Sequence, residues 1–325
     1  MSSLRKIGFF TAFIIPAAVI LGYYLGGGWN FLSLGIAFVL IPVMDYFVGT
    51  STYNVPDDRL SLVSNAFYYR FVTYVWTYFQ VGFLLWAFYV ITFTPLTNAY
   101  EWIGFTLGTG VVTGGIGITV AHELGHKKTA IERLYSQVLL LTVCYMHFYI
   151  EHNKGHHVTV ATPEDPATSR KNESFYAFWV RSVFGGYAHA WHIENQRLRR
   201  KGTHILSGQN MMIWYSVLPF LVISFITMAF SLWSGTLVWE IPIFFFAQSI
   251  IAFTLLEQVN YIEHYGIRRK EISPGRFERV TPLHSWNASH ILSNFFLFQL
   301  QRHSDHHANA IKRYQVLNHY DESPQ

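Results

Sequence analysis

Six long apolar runs constrain this chain more than any other feature. Residues 8–27, 31–50, 71–94, 102–121, 211–234 and 241–262 each reach the roughly 20 residues that a helix needs to cross a hydrocarbon core. Backbone polar groups inside a bilayer must be satisfied within the segment, so runs of this length are read as helices. Only 13% of the residues are charged, against about 25% in ordinary globular proteins. The reading is an all-α integral membrane protein, one domain over residues 1–325, with six spans and a helical cap made by 122–210 and 263–325. The first run follows Arg5 and Lys6 like a signal peptide. A second apolar run comes immediately after it, so it is read as a span.

Charge placement sets the expected orientation. All 23 Lys and Arg residues lie outside the 26–30, 95–101 and 235–240 connections. By the positive-inside rule those three connections face outward, and the amino terminus, 51–70, 122–210 and the tail after 263 face the cytoplasm. The localisation expected is a bacterial inner membrane with the functional segments on its cytoplasmic side.

Those cytoplasmic segments carry four histidine clusters: His122-Glu-Leu-Gly-His126-Lys127, Glu151-His152-Asn-Lys-Gly-His156-His157, Asn260-Tyr-Ile-Glu263-His264-Tyr265-Gly266, and Arg302-His303-Ser-Asp305-His306-His307. They hold nine of the 16 histidines. Residues four apart share a helix face, so His122 with His126, His152 with His156, and His303 with His307 are expected to point together. Nine imidazoles exceed the needs of one ion and suggest two. The single cysteine, Cys144, excludes iron–sulfur and cysteine-rich zinc sites. Iron suits imidazole. The scattered His147, His189, His192, His204, His284, His290 and His319 are read as structural.

Several further residues bear on such a site. Asp45 and Glu257 are carboxylates within spans, and Asp305 and Glu123 sit inside the histidine clusters. All four are candidates to accept an imidazole N–H and so fix ligand tautomers. The fourth run carries Gly104, Gly108, Gly110, Gly114, Gly115 and Gly117, which permit close helix packing or leave a slot leading to the metals. Residues 136–150 are read as a buried or interfacial helix delivering His152. The segment Thr162–Pro166 is a prolyl turn, and the basic run Arg197–Lys201 suits anionic lipid. The sequons at Asn172 and Asn287 face the cytoplasm and are taken as chance. With no GxGxxG motif and no phosphate loop, electrons are expected from another protein.

The four boxes, together with Thr162–Arg170 (TPEDPATSR), resemble those of the membrane-bound alkane 1-monooxygenases over about residues 118–310. The His-Tyr-Gly box and the Leu-Gln-Arg-His lead-in separate the chain from desaturases and sterol hydroxylases, which share a looser HxxHH pattern. The resemblance implies that His122, His126, His152, His156, His157, His264, His303, His306 and His307 ligate two non-haem iron ions. It implies hydroxylation of the terminal methyl of medium- or long-chain n-alkanes with O₂. Electrons would come from a separate rubredoxin, reduced by an NAD(P)H-dependent reductase, because paired CxxC motifs are absent here. Phe31, Phe38, Trp76, Phe83 and Trp86 are candidate walls of a substrate channel. A hydroxylase of aromatic methyl groups, acting on xylene, is the nearest alternative. A histidine-rich transporter would spread its ligands through the membrane rather than gather them on one side.

Overall fold

The computed structural model describes residues 3–94 and 96–325. Pro95, within the 95–101 connection, lies outside them. Six helical segments are long and apolar enough to span a membrane: Lys6–Leu25, Gly27–Val48, Asp57–Phe93, Ala99–Gly125, Met211–Ser234 and Glu240–Glu263. The third differs most from expectation, because it is two helices, Asp57–Asn65 and Phe67–Phe93, bent at an extended Ala66. Glu101 ties together two of the connections that lack Lys and Arg. Its carboxylate accepts from Gly27 N at 2.7 Å and from the backbone and hydroxyl of Thr97 at 2.9 Å.

The fourth span is the centre of the bundle. Over its most apolar stretch it is 78% buried, whereas the second and fifth spans are 17% buried and face outward. Its glycines explain how neighbours come so close. A Cβ at Gly114 would lie 2.5 Å from the backbone of Ala252 in the sixth span, and one at Gly110 would lie 2.5 Å from Ile251. At Gly108 it would meet Ser33, at Gly104 Phe31, and at Gly117 the amide of Gln80. Five of the six glycines therefore serve packing. Gly115 alone has open space where its side chain would be.

A buried polar network braces this centre. Gln80 accepts from Trp76 Nε1 at 2.9 Å and donates to Thr142 Oγ1 at 2.8 Å. Gln248 of the sixth span accepts from Thr113 at 2.6 Å and donates to the Thr142 carbonyl at 2.9 Å. Both glutamine amides are thus paired on oxygen and nitrogen, as buried polar groups in lipid require.

Three stretches widen into i→i+5 turns: Ile36–Leu40, Val112–Ile118 and His152–His156. Such π-bulges collect at functional sites, and all three border the region described next. The helix expected over 136–150 is instead Ala130–Leu141, begun by a Thr129 cap. The chain then turns at Cys144, in the left-handed region with φ 51°, before helix resumes at Phe148. A helix cannot run through such a residue. A small hairpin, Glu271–Ser273 with Arg276–Phe277, departs from the otherwise helical fold.

Cap helix Phe175–Arg200 buries Phe178, Ser182, Gly186, Ala190, Glu194 and Leu198, one face at four-residue spacing. Of the basic run, Arg197 is taken up by Glu194 at 2.7 Å, while Arg199, Arg200 and Lys201 stay exposed. The C-terminal tail is strapped back onto the cap. Arg302 donates to the carbonyls of Ser51, Tyr53 and Leu317, and Arg313 pairs with Glu132 at 2.8 Å.

Candidate metal centre

Four separate elements deliver the nine clustered histidines to one place. His122 and His126 close the fourth span. His152, His156 and His157 lie on the π-turn and the short helix after it. His264 caps the sixth span, and the six-residue helix His303–Ala308 supplies the rest. They form two groups whose potential ligand atoms lie within 4.8 Å of one another: His122, His126, His152, His157 and His306 in one, His156, His264, His303 and His307 in the other. The rings of His157 and His307 stack at 4.5 Å, one from each group.

The helical pairing expected for His152 and His156 does not hold. In the wide turn, residues five apart come together, so His152 meets His157 with Nε2 atoms 3.0 Å apart, and His156 turns to the other group. The adjacent residues His306 and His307 are likewise split between groups. Each doubled histidine thus serves both sites.

The nitrogen geometry fits metal ions. In the group of four, Nε2 separations are 3.1 Å for His264–His303, 2.9 Å for His303–His307 and 3.3 Å for His307–His156. In the group of five, His157–His306 is 3.1 Å. A metal–imidazole bond of about 2.1 Å puts nitrogens at right angles about 3.0 Å apart. A neutral Nε2 carries either one proton or one lone pair, so His307 Nε2 cannot hydrogen-bond two neighbours at once. Among the described residues, neither ring nitrogen of His122 nor Nε2 of His126 has a partner, although all are buried. Each such orphan costs about 1–3 kcal/mol. A cation accepting the lone pairs removes that cost.

Protonation agrees with this. Burial, reinforced by neighbouring imidazoles, pushes His126, His152, His264, His303, His306 and His307 well below the usual histidine range, and His157 to about 3. Neutral imidazole is the ligand form.

Comparison with known proteins follows this geometry closely. The fatty acid desaturase family model matches residues 96–319. Alkane 1-monooxygenase 2 of Pseudomonas aeruginosa is 40% identical over 333 residues, covering 100% of this chain and 86% of its own. Alkane 1-monooxygenase 2 of Alcanivorax borkumensis is 38% identical, covering 100% and 85%. The chain belongs to the alkane 1-monooxygenase family. The hydroxylase component of the xylene/toluene monooxygenase of Pseudomonas putida is a more distant relative, 24% identical over 318 residues. As an alkane 1-monooxygenase family member the chain is an oxidoreductase of the monooxygenase type, and its histidine clusters form a candidate metal centre.

The carboxylates beside this family member's histidines are not those expected. Asp45 accepts from Leu292 N at 2.7 Å and Ser293 N at 3.0 Å, capping helix Ile291–Phe296. Glu257 accepts from Tyr145 Oη at 3.0 Å and Asn260 Nδ2 at 3.4 Å. Glu123 pairs with Lys127 at 2.9 Å and receives Tyr314 N. It is one residue, about 100° of helix, away from His122 and so faces the tail. Asp305, fully buried, collects Lys312, Asn309, Asn318 N and Tyr320. None of the four reaches a clustered imidazole.

Two other acids do. Asp165 Oδ2 is 2.8 Å from His156 Nδ1 and also accepts from Thr168 at 2.6 Å. Burial pushes the Asp165 carboxyl up, but His156 and the hydrogen bonds outweigh it and hold the group at about 2. Burial conversely lowers His156, and Asp165 more than restores it. Arg181 fixes the turn through the carbonyls of Pro166 at 2.8 Å and Thr168 at 3.0 Å. Glu263 Oε2 lies 3.2 Å from His303 Nδ1, out of line for a full hydrogen bond. Sequence gave one sign of Asp165, an acid held between two prolines; Glu263 was masked by standing at a helix end.

An apolar cavity of about 390 Å³ opens on this centre. Its inner wall includes His122 and His152 from one group and His303 from the other. From there it runs between the second, fourth and sixth spans, past Phe38, Ile41, Gly115 and Val111. Of the five aromatics expected to line a channel, only Phe38 does. Trp76 is fully buried in the Gln80 network, Phe83 and Trp86 pack on each other at 5.6 Å with tilted rings, and Phe31 packs against Gly104. The third span lies on the far side of the fourth from the cavity, so its aromatics build the core.

Proposed function

We propose that this protein hydroxylates the terminal methyl of medium- or long-chain n-alkanes. Alkane, O₂, two electrons and two protons give a primary alcohol and water. The observation that carries this reading is the apolar cavity ending at histidines of both groups. Two iron ions fit the donor sets, five nitrogens in one and four in the other, leaving coordination positions open for oxygen chemistry. Bound there, iron would supply the activation of O₂.

The chain's own residues do the rest. An alkane has no polar handle, so Phe38, Ile41 and Val111 orient it by shape alone and present one chain end to the histidines. Each CH₂ is worth about 0.8 kcal/mol against water. Substrate arriving from lipid gains less, so cavity shape outweighs apolar burial in selecting it. Asp165 holds the Nδ1 proton of His156, which leaves its Nε2 lone pair for the metal. Charge placement supports a site at the cytoplasmic face of an inner membrane, where a soluble rubredoxin would deliver electrons.

The test is reconstitution of the purified protein in nanodiscs with rubredoxin, rubredoxin reductase, NADH and O₂. Octane should yield 1-octanol and the preparation should carry iron. Turnover of p-xylene with no alkane turnover would favour the aromatic-methyl reading, and no product from either would overturn the function.

A further inference from the structure

We infer that Gly115 sets how long an alkane this enzyme accepts, by leaving its own side chain out of the cavity. This rests on the alkane reading above. Gly104, Gly108, Gly110, Gly114 and Gly117 of the fourth span are each pressed against a neighbour, at a Cβ distance under 3.0 Å. Gly115 lines the cavity beside Gly114, but unlike Gly114 a Cβ there would meet nothing within 4 Å. It stands in the middle of the π-bulge Val112–Ile118, whose widened turn draws the backbone away from a regular helical path. Across the cavity, Ala37 and Phe38 belong to a second π-bulge, Ile36–Leu40. The two bulges and the missing side chain keep this stretch open.

Its position gives a length. Gly115 precedes His122 by seven residues, about 10 Å along the helix at about 1.5 Å each. An extended chain advances about 1.2 Å per bond, judged from the roughly 3.5 Å spanned by three backbone bonds. A methyl held at the histidines therefore brings about the ninth carbon level with Gly115. The cavity continues past it to Val111, a further turn away, so longer chains pass this point in the native protein. A bulky side chain at 115 closes that passage and leaves the part next to the histidines intact.

The experiment compares Gly115→Ala, Gly115→Val and Gly115→Phe with the native protein in nanodiscs, using hexane, octane, decane, dodecane and tetradecane. Gly82→Phe is the control, an exposed glycine of the third span with open space and no part in the cavity. Iron content and thermal midpoint are measured alongside. The expected result is a graded loss: Gly115→Phe lowers the dodecane-to-hexane ratio of kcat/KM by about tenfold or more, as overpacking a fixed wall does. Iron content and the Gly82→Phe profile stay near native. If Gly115→Phe is poorly folded, the same trend must appear in the Ala and Val variants. An unchanged chain-length profile in folded, active Gly115 variants overturns the role of Gly115 while leaving the alkane reading standing. A native protein that oxidises no alkane overturns both.

Discussion

Removing either of two neighbouring histidines should have different consequences, because His156 and His157 belong to different groups. Without its imidazole, His157→Ala leaves the group of five with four nitrogens, still a common complement for a transition metal. His156→Ala leaves the group of four with three. Four-ligand structural sites bind with apparent energies of about 10–16 kcal/mol, so one ligand of four is worth about 3 kcal/mol. That is about a hundredfold in affinity. His156→Ala also strands the fully buried Asp165, whose imidazole partner is 2.8 Å away, and losing one member of a buried pair costs about 3–5 kcal/mol. His156→Ala should therefore lose one ion per chain and unfold at lower temperature. His157→Ala should keep close to two ions until a chelator is titrated in. Metal per chain by mass spectrometry, before and after chelator, reads both. Equal behaviour of the two variants in metal content and stability would refute the division into groups.

Three further outcomes follow from particular contacts. Asp45→Ala should cost about 1–2 kcal/mol through the lost cap on helix Ile291–Phe296 and leave metal content native; metal loss from a folded variant would contradict the capping role. Gly117→Ala should destabilise by about 1–3 kcal/mol, since the new Cβ meets the Gln80 amide that Trp76 and Thr142 hold in place, and a native unfolding midpoint would count against that packing. Burial raises the Cys144 thiol to about 11, so little thiolate exists at neutral pH. Its alkylation should speed up about tenfold per pH unit up to pH about 11, a rise measurable with iodoacetamide, whereas a rate independent of pH would show the thiolate already formed.

The spans and the nine histidines were legible because each rests on a local signal: apolar length in one case, repeated imidazole at short spacing in the other. The carboxylates were not, because an acid in a span is costly wherever it goes and sequence does not say which neutralising partner it finds. Asp45 found the amide N–H groups of a helix 247 residues away, and Glu257 found Tyr145 across 112. The acid that does reach a clustered imidazole, Asp165, sits in a loop that looked like a plain turn. Four of the five expected aromatic walls lie elsewhere, and the three of the third span for a related reason. Span-three aromatics look alike in sequence whether they face a cavity, lipid or the fourth span, and the glycines of that fourth span decide the matter by drawing its neighbours close.

The division of the histidines shows where periodicity itself misleads. Four-residue spacing between His152 and His156 reads as one face of an α-helix, yet the turn is a π-bulge and the residues diverge. The bulge is what allows two adjacent residues to work for two sites. In a regular α-helix His157 would be rotated well away from His152; in the wider turn it returns to within 3.0 Å, and His156 is left free to face His264, His303 and His307. The second doubled pair, His306 and His307, achieves the same split on a helix of only six residues, whose short length and buried Asp305 anchor let it lie between both groups. A chain with single histidines at these two points could complete one group or the other. The doubled residues are therefore the sequence mark of two groups sharing a wall, and His264, alone on its element, completes the group of four, which takes no donor from the fourth span.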